Sequence, residues 1–423
     1  LLYPAPGGWH ILRDQFMGTV MYSLSLAALL AITACAPNRH APEQAAAPHS
    51  TLRIPHSELP GKQPDGSVLL PNQWSLRPVG KQVELGDFPI NVAVHPGGRF
   101  AAVLHSGYSA HEILVVDIAS AQVVSRTGVH EAFYGLEFSK DGRQLFCSGA
   151  GEEVIHSYAF REGSLTNPSP IKLRDPKLRG VPAGLAVDAA ARQLFAANVW
   201  ANSVTRVDLL STPMASDISL GTNAAPLSVA PVAGSTDFEN AAANKRQEAA
   251  LDPAKPADNF PYACRLDERR QRLYVSLWAQ AEVAVIDLAS GQAIARWPTQ
   301  EHPCEMALTR SGKRLFVANA SRNTVTVLDT EIGKALETVW AALYPQVPPG
   351  STPNSLALSP DEKTLFVANA DNNMVAVFDV EKPGKSRSLG FIPVGWYPTS
   401  VRVTPDGKHL LVANGKGITP RAN

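Results

Sequence analysis

The stretch Pro303–Asp329, PCEMALTRSGKRLFVANASRNTVTVLD, decides the fold because it comes back. Pro353–Asp379 reads PNSLALSPDEKTLFVANADNNMVAVFD, the same residue classes in the same order. Related copies begin at Pro89 (INVAVHPGGRFAAVLHS), Ala132 (FYGLEFSKDGRQLFCSG), Pro182 (AGLAVDAAARQLFAAN) and Pro261 (YACRLDERRQRLYVSL). A last copy starts at Pro398 (TSVRVTPDGKHLLVANGKG). The matching residues Phe100, Leu145, Leu194, Leu273, Leu315, Leu365 and Leu410 recur every 40-odd residues, roughly 42 to 50. The one longer gap holds an Ala-rich insertion at about 224–258. Several short strands per repeat at that period are the mark of a β-propeller.

Each part of the repeat has a mechanical reading. Val92 and Val94, or Leu356 and Leu358, alternate along an inner strand. Pro405 to Lys408 is a turn in which Gly407 supplies a positive φ. Leu365-Phe366-Val367-Ala368 is the second strand. Paired Asn residues bracket the next turn at Asn198/Asn202, Asn319/Asn323 and Asn369/Asn373, since Asn tolerates left-handed geometry. The third strand closes on Asp at Asp117, Asp208, Asp287, Asp329 and Asp379. Residues repeated in blade after blade read as architecture and not as chemistry. Six full repeats are followed by a seventh that stops after Asn414 with two strands. Trp74–Gly86 (WSLRPVGKQVELG) reads as a lone outer strand ahead of the first repeat. The expectation is an all-β, seven-bladed propeller over 64–423. Its last blade is incomplete in this chain and is closed by the N-terminal strand, which removes open edges. The chain reads as truncated at both ends.

Composition narrows the function. The chain has 423 residues, a formal net charge of +0 and no basic run, which argues against nucleic acid as a partner. Its four cysteines, Cys35, Cys147, Cys264 and Cys304, contain no C-x-x-C pair, so thiolate zinc and haem attachment have no support. Cys264 and Cys304 hold near-equivalent positions in neighbouring inner strands. Either a disulfide, permissible outside the cytoplasm, or two buried free thiols would suit them.

Residues 1–16 contain no Met. From Met17 or Met21 the chain turns apolar through Leu24, Leu26, Leu29, Leu30 and Ile32, and reaches Ile32-Thr33-Ala34-Cys35. A short apolar run with small residues before Cys resembles a lipobox, with Cys35 acylated as the mature N-terminus. The same run, at the short edge for a membrane span, has a retained anchor as its other reading. Residues 1–35 are then upstream sequence and lipoprotein signal. Residues 36–63, rich in Ala, Pro and His, form a flexible tether. The implied location is the cell envelope, as a periplasmic lipoprotein or on the extracytoplasmic surface, with the membrane reached through the lipid. Ala36 after Cys35 favours the outer membrane by the sorting logic of such lipoproteins.

The search for chemistry returns mostly absences. There is no G-x-S-x-G, H-E-x-x-H or P-loop, so no catalytic residue, metal ligand or cofactor is assigned. Asn91, Glu131, Glu305 and Asn354 stand where inner strands begin and are the candidate polar groups of a central funnel. Tyr108, Tyr134, Trp200, Tyr262, Trp278, Trp396 and Tyr397 fall in loops that share one face in propellers of this strand order. Collected there they would bind a peptide, glycan or protein domain; dispersed, each would wedge between blades.

NTVTVLDTEIGKALETV (Asn323–Val339) and its sister copies resemble YVTN-type, YncE-like propeller repeats over nearly all of residues 64–415. EAFYGLEFSKDG (Glu131–Gly142), GSTPNSLALSPDEKTLFVANADNN (Gly350–Asn373) and GWYPTSVRVTPDGKHLLVANGKG (Gly395–Gly417) are similar to a more particular group. In it a YncE-like propeller precedes a phosphoesterase domain of the alkaline phosphatase superfamily. The resemblance implies a non-catalytic binding or scaffolding propeller, the N-terminal part of a larger phosphoesterase-like protein. Its partner would be that domain or an envelope polymer. Metal-free lactonases also use propellers, so a lactonase-like or metal-dependent hydrolase working in the funnel is the alternative.

Overall fold

The computed structural model describes residues 59–210, 213–221, 258–345 and 347–417. Seven antiparallel sheets stand in a ring, six of them four-stranded. Blade one spans Pro89–Gly128, blade two Leu136–Lys172, blade three Pro182–Ser219 and blade four Pro261–Pro298. Blade five spans Pro303–Trp340, blade six Pro353–Pro393 and blade seven Pro398–Asn414. Each inner strand lies beside the next, and Pro398–Val403 of blade seven meets Pro89–Val94 of blade one. The all-β, seven-bladed expectation holds.

Stacking explains why the middle strands carry continuous apolar runs. A sheet inside the ring is covered on both faces, so Leu315, Phe316, Val317 and Ala318 are all fully buried. Phe316, Val325, Leu356, Leu365 and Phe378 form one cluster between blades five and six. Phe195, Val204, Leu273, Val275 and Ile286 form another between blades three and four. Outer strands such as Gln122–Gly128 alternate exposed and half-buried residues, as strands with a solvent face must. Each buried aliphatic or aromatic side chain contributes about 1.5–3 kcal/mol relative to exposure.

The repeated polar residues are architectural. Asn202, Asn323 and Asn373 have φ of 51°, 55° and 55°, the left-handed turn position anticipated for them. Asp117, Asp208, Asp287, Asp329 and Asp379 each accept a backbone N–H from the turn that follows. In the turn of blade seven Gly407 has φ 72°, and Asp406 accepts from the Lys408 amide at 3.1 Å.

The N-terminal stretch differs from its expected place. Gly61–Lys62, Val68–Leu69 and Ser75–Leu76 make a small three-stranded sheet of their own, whose Val68, Leu70 and Leu76 pack on Trp396. Chain expected as tether up to residue 63 is thus partly strand. Beyond Leu76 the segment forms no ladder with blade seven. The Val79 amide donates to Pro393 O of blade six at 3.1 Å, and Lys81 Nζ to Ser120 O of blade one at 2.6 Å. Val83 and Leu85 pack on a cluster holding Val92, Leu114 and Ala413. Pro78, Gly80 and Gly86 account for the lost pairing, since Pro lacks the N–H and Gly adds backbone freedom. The stretch therefore bridges the ring's seam without adding a strand to blade seven. The seam itself closes through Thr399 Oγ1, which donates to Pro89 O at 2.5 Å, and the Val92 amide, which donates to Ser400 Oγ at 3.2 Å.

Candidate functional site on the propeller axis

The inner strands line the axis, and side chains two apart on a strand share a face. The repeats open at Pro89, Phe133, Pro182, Pro261, Pro303, Pro353 and Pro398. Counted from there, the third position holds Asn91, Gly135, Gly184, Ala263, Glu305, Ser355 and Ser400. The fifth position holds Ala93, Glu137, Ala186, Arg265, Ala307, Ala357 and Arg402. The small residues let neighbouring strands approach. A Cβ on Gly184 would come within 2.5 Å of Tyr262 O, so no other residue fits there without displacement.

The charged members meet. Glu305, 1% exposed, takes Arg402 Nη2 at 2.7 Å and Arg265 Nη2 at 3.0 Å on Oε1. Its Oε2 accepts from Arg402 Nη1 at 3.1 Å, from the Leu356 amide at 3.2 Å and from the Ser355 hydroxyl. Arg402 Nη2 also reaches Asn91 Oδ1 at 2.8 Å, and Asn91 Nδ2 donates to Tyr134 O at 2.8 Å. Arg265 Nε donates to Met306 O at 2.6 Å. One network thus ties blades one, four, five, six and seven across the axis.

Burial alone would raise the Glu305 carboxyl. The Arg402 and Arg265 charges, with hydrogen bonds from Arg402 and Ser355, outweigh it and hold the group below the usual carboxylate range. Glu137 behaves oppositely. It faces the same arginines with no hydrogen bond or ion pair among the described residues, and burial pushes its carboxyl up against their opposing pull.

The sequence candidates scatter around this network. Asn91 and Glu305 belong to it. Asn354 lies one register position away on the other strand face, where its Nδ2 donates to Pro398 O at 3.1 Å. Glu131 precedes the strand of blade two, beside Gly151, with its carboxyl raised by burial and by the Glu152 charge. Glu152 in turn pairs with His130 Nδ1 at 2.8 Å and His156 Nε2 at 3.3 Å. Among the described residues no group of three or more His, Cys, Asp or Glu is placed to hold a metal. Arg265, Arg402, Ser355 and Glu137 escaped the sequence reading. For Arg265, Arg402 and Glu137 the signal was positional, charged residues in a register column otherwise filled by Ala; Ser355 carried none, standing in a column of small and polar residues.

The aromatic residues divide. Tyr134 and Tyr262 meet at a tilt of 32° with ring centroids 4.6 Å apart, and Phe133 meets Tyr262 edge-on at 6.3 Å. Phe133 and Tyr134 belong to one buried cluster between blades, and the half-buried Tyr262, Trp200 and Trp278 pack against it. Trp278 also stacks on His302 at 3.8 Å. Trp396 lies under the small N-terminal sheet. Tyr397 faces Phe88 at 6.3 Å and carries Lys416 Nζ over its ring at 4.3 Å. Tyr108 is 62% exposed, and its amide donates to Asp87 Oδ2 at 2.6 Å. Cys264 and Cys304 are buried and unbridged, their thiols pushed up to about 12 by burial. Cys35 and nearly all of the insertion at about 224–258 lie outside the described residues.

Residues 334–418 match the family model described as Lactonase, 7-bladed beta-propeller. That stretch comprises the outer strand of blade five, all of blade six and both strands of blade seven. No curated protein matches the chain. Among solved structures it is similar to hydrazine synthase of Kuenenia stuttgartiensis, with 16% identity and TM-score 0.58 over 79% of this chain and 96% of that one. It is also similar to the RRP9 WD40 repeats, with 12% identity and TM-score 0.61 over 80% and 92%. The β-propeller domain of Cps50 (Swd1) from Myceliophteria thermophila shares 14% identity and a TM-score of 0.56 over 79% and 95%. At such identities the likeness establishes the propeller fold alone. The class is thus a seven-bladed β-propeller, in which residues 334–418 are similar to a lactonase propeller model.

Proposed function

We propose that this chain is a binding or scaffolding propeller with no catalytic centre of its own, carried in the cell envelope on a lipid at Cys35. It would be the N-terminal module of a larger phosphoesterase-like protein, and it would bind that protein's further domain or an envelope polymer. The observation that carries the non-catalytic reading is the state of Glu305. The carboxylate best placed on the axis is saturated by two guanidinium groups, a hydroxyl and an amide, and held ionised. A general base needs a free lone pair and a pKa near the working pH, and this group has neither.

The second reading, a lactonase-like hydrolase, is favoured by the match over residues 334–418, which includes Ser355 and Arg402 of the axial network. One assay separates the two. The purified chain is offered a panel of sugar lactones, with and without chelator, beside Glu305→Gln and Glu131→Gln. The expected result is no opening above the spontaneous rate. Turnover abolished by either variant would establish the hydrolase. The proposed larger protein is tested by sequencing past the codon for Asn423, where a frame running into a metal-ligand-rich domain is expected. An immediate stop codon would remove that part of the proposal.

A further inference from the structure

The repeat dictates most side chains of the ring, so residues that break it stand out. In the outer strands, the position opposite the first residue of the third strand holds Gly128, Lys172, Ser219, Pro298 and Pro393, but Trp340 in blade five. Opposite the fourth residue stand Ser125, Ser169, Ser216, Ala295 and Gly390, but Glu337 in blade five. The connection after blade five is also longer, over 341–352, against 299–302 after blade four and 394–397 after blade six. The three departures meet at one place. A groove of about 360 Å³ lies between the outer strands Lys334–Trp340 and Arg387–Pro393, on the outer wall of the ring. Trp340, 38% exposed, and Leu343 line it over buried Phe378 and half-buried Phe391. Trp340 Nε1 donates to Tyr344 O at 2.9 Å, which fixes the indole against its own connection. Half-buried Glu337 accepts the Ser386 amide at 2.9 Å and the Ser386 hydroxyl at 2.7 Å, one on each carboxylate oxygen. Each of those oxygens keeps a further lone pair. Thr338 and Ser388 add exposed hydroxyls, and among the described residues no Lys, Arg or His lines the groove.

We propose that this groove binds a pyranose unit of a neutral glycan. The lining selects that class. A sugar ring offers C–H groups on one face and hydroxyls around its rim, so the face packs on an aromatic ring while the hydroxyls donate to fixed acceptors. Trp340, held by its own hydrogen bond, is the aromatic ring, and Glu337, Thr338 and Ser388 are the acceptors. A wholly apolar ligand would strip water from the carboxylate and the hydroxyls and replace it with nothing, at about 1–3 kcal/mol for each group. A phosphate or a uronate would meet the Glu337 charge with no lining cation to offset it. The volume is near the lower end of the roughly 300–1,000 Å³ of small-molecule pockets, which suits a short stretch of a longer chain. The site rests on the binding-module reading and names the class of its polymer.

The test titrates the full chain by calorimetry with cellohexaose, maltohexaose and the N-acetylglucosamine hexamer, beside a polygalacturonate oligomer and a polyproline peptide. Saturable binding of at least one neutral hexamer is expected, and none of the uronate. Trp340 is exposed, so Trp340→Ala should leave the melting temperature unchanged while weakening that binding by roughly tenfold or more. Trp340→Phe, which keeps an aromatic face, should restore part of it. No binding of any hexamer, or a preference for the uronate, would overturn the site. So would Trp340-dependent binding of the peptide alone, since the occupant would then be a polypeptide. Glycan bound equally by Trp340→Ala would remove the groove and keep the binding-module reading. Lactone turnover beside Trp340-dependent glycan binding would remove the non-catalytic reading and keep the groove.

Discussion

Arg402 touches groups from three other blades, Asn91, Glu305 and Ser355. Removing it leaves the Glu305 carboxylate, 1% exposed, with one guanidinium where it had two. Breaking a buried pair from one side costs about 3–5 kcal/mol, so Arg402→Ala is expected to lose that much in urea denaturation. The pH dependence follows from two opposite shifts. The depressed Glu305 contributes stability that is full above its ordinary value of 4.5 and is lost as pH falls through its folded value. Glu137 is raised, so its ionised form is a penalty at neutral pH that vanishes on acidification. Glu137→Gln should therefore raise the melting temperature at pH 7 and leave it unchanged below the carboxylate range. A melting series of wild type and variant across pH checks the sign.

At the scale of the strand pair, the asparagine ending the second strand cross-links it to the third. Asn319→Ala strands the buried hydroxyls of Thr324 and Thr326. The expected loss is about 1–3 kcal/mol by chemical denaturation, while Asn414→Ala, which meets no such hydroxyls among the described residues, should cost less. These elements were legible because each obeys a local rule. Asn at a left-handed turn recurs in three repeats, Asp accepting turn amides in five, and apolar runs in doubly covered strands throughout. The axial network was legible only in part. Asn91 and Glu305 stood out as polar residues at strand starts, but Arg265, Arg402 and Glu137 differ from their sisters only by breaking a column of Ala. Asn354 was misplaced because its side chain lies on the alternate face, one register step from the axis. The aromatic loop residues were ambiguous because the same rings suit a binding surface and a blade wedge. The contacts that distinguish the two come from other repeats, as where half-buried Trp278 stacks on His302 ahead of blade five.

At the scale of the whole ring, the seam between blades one and seven is where the molecule departs from repetition. Residues 77–86 cross it, bonded to blade six at Pro393 and to blade one at Ser120, with Leu85 on the shared apolar cluster. Leu85→Asp is expected to destabilise the fold by about 1–3 kcal/mol and to increase binding of an apolar dye, read in one thermal scan. Pro78 and Gly80 were visible in the sequence, but periodicity alone favoured a strand there. The competing interactions that decide the path come from blades six and one, which no local window contains.

Near-identical parts bring a hazard of assembly, because the strand of one copy can accept the partner of another. Leu315–Ala318 and Leu365–Ala368 share one sequence, Leu-Phe-Val-Ala, and a ladder formed by one could equally be formed by the other. Backbone hydrogen bonds do not distinguish such swaps, and neither does the apolar filling between sheets. The axial charges do. Glu305 finds both guanidinium groups only when blades four, five and seven occupy their proper stations, and a permutation that moves any of these three leaves an uncompensated ion in the interior. The tie across the axis is in this sense an address label, giving the copies that carry its charges one place in the sequence of assembly.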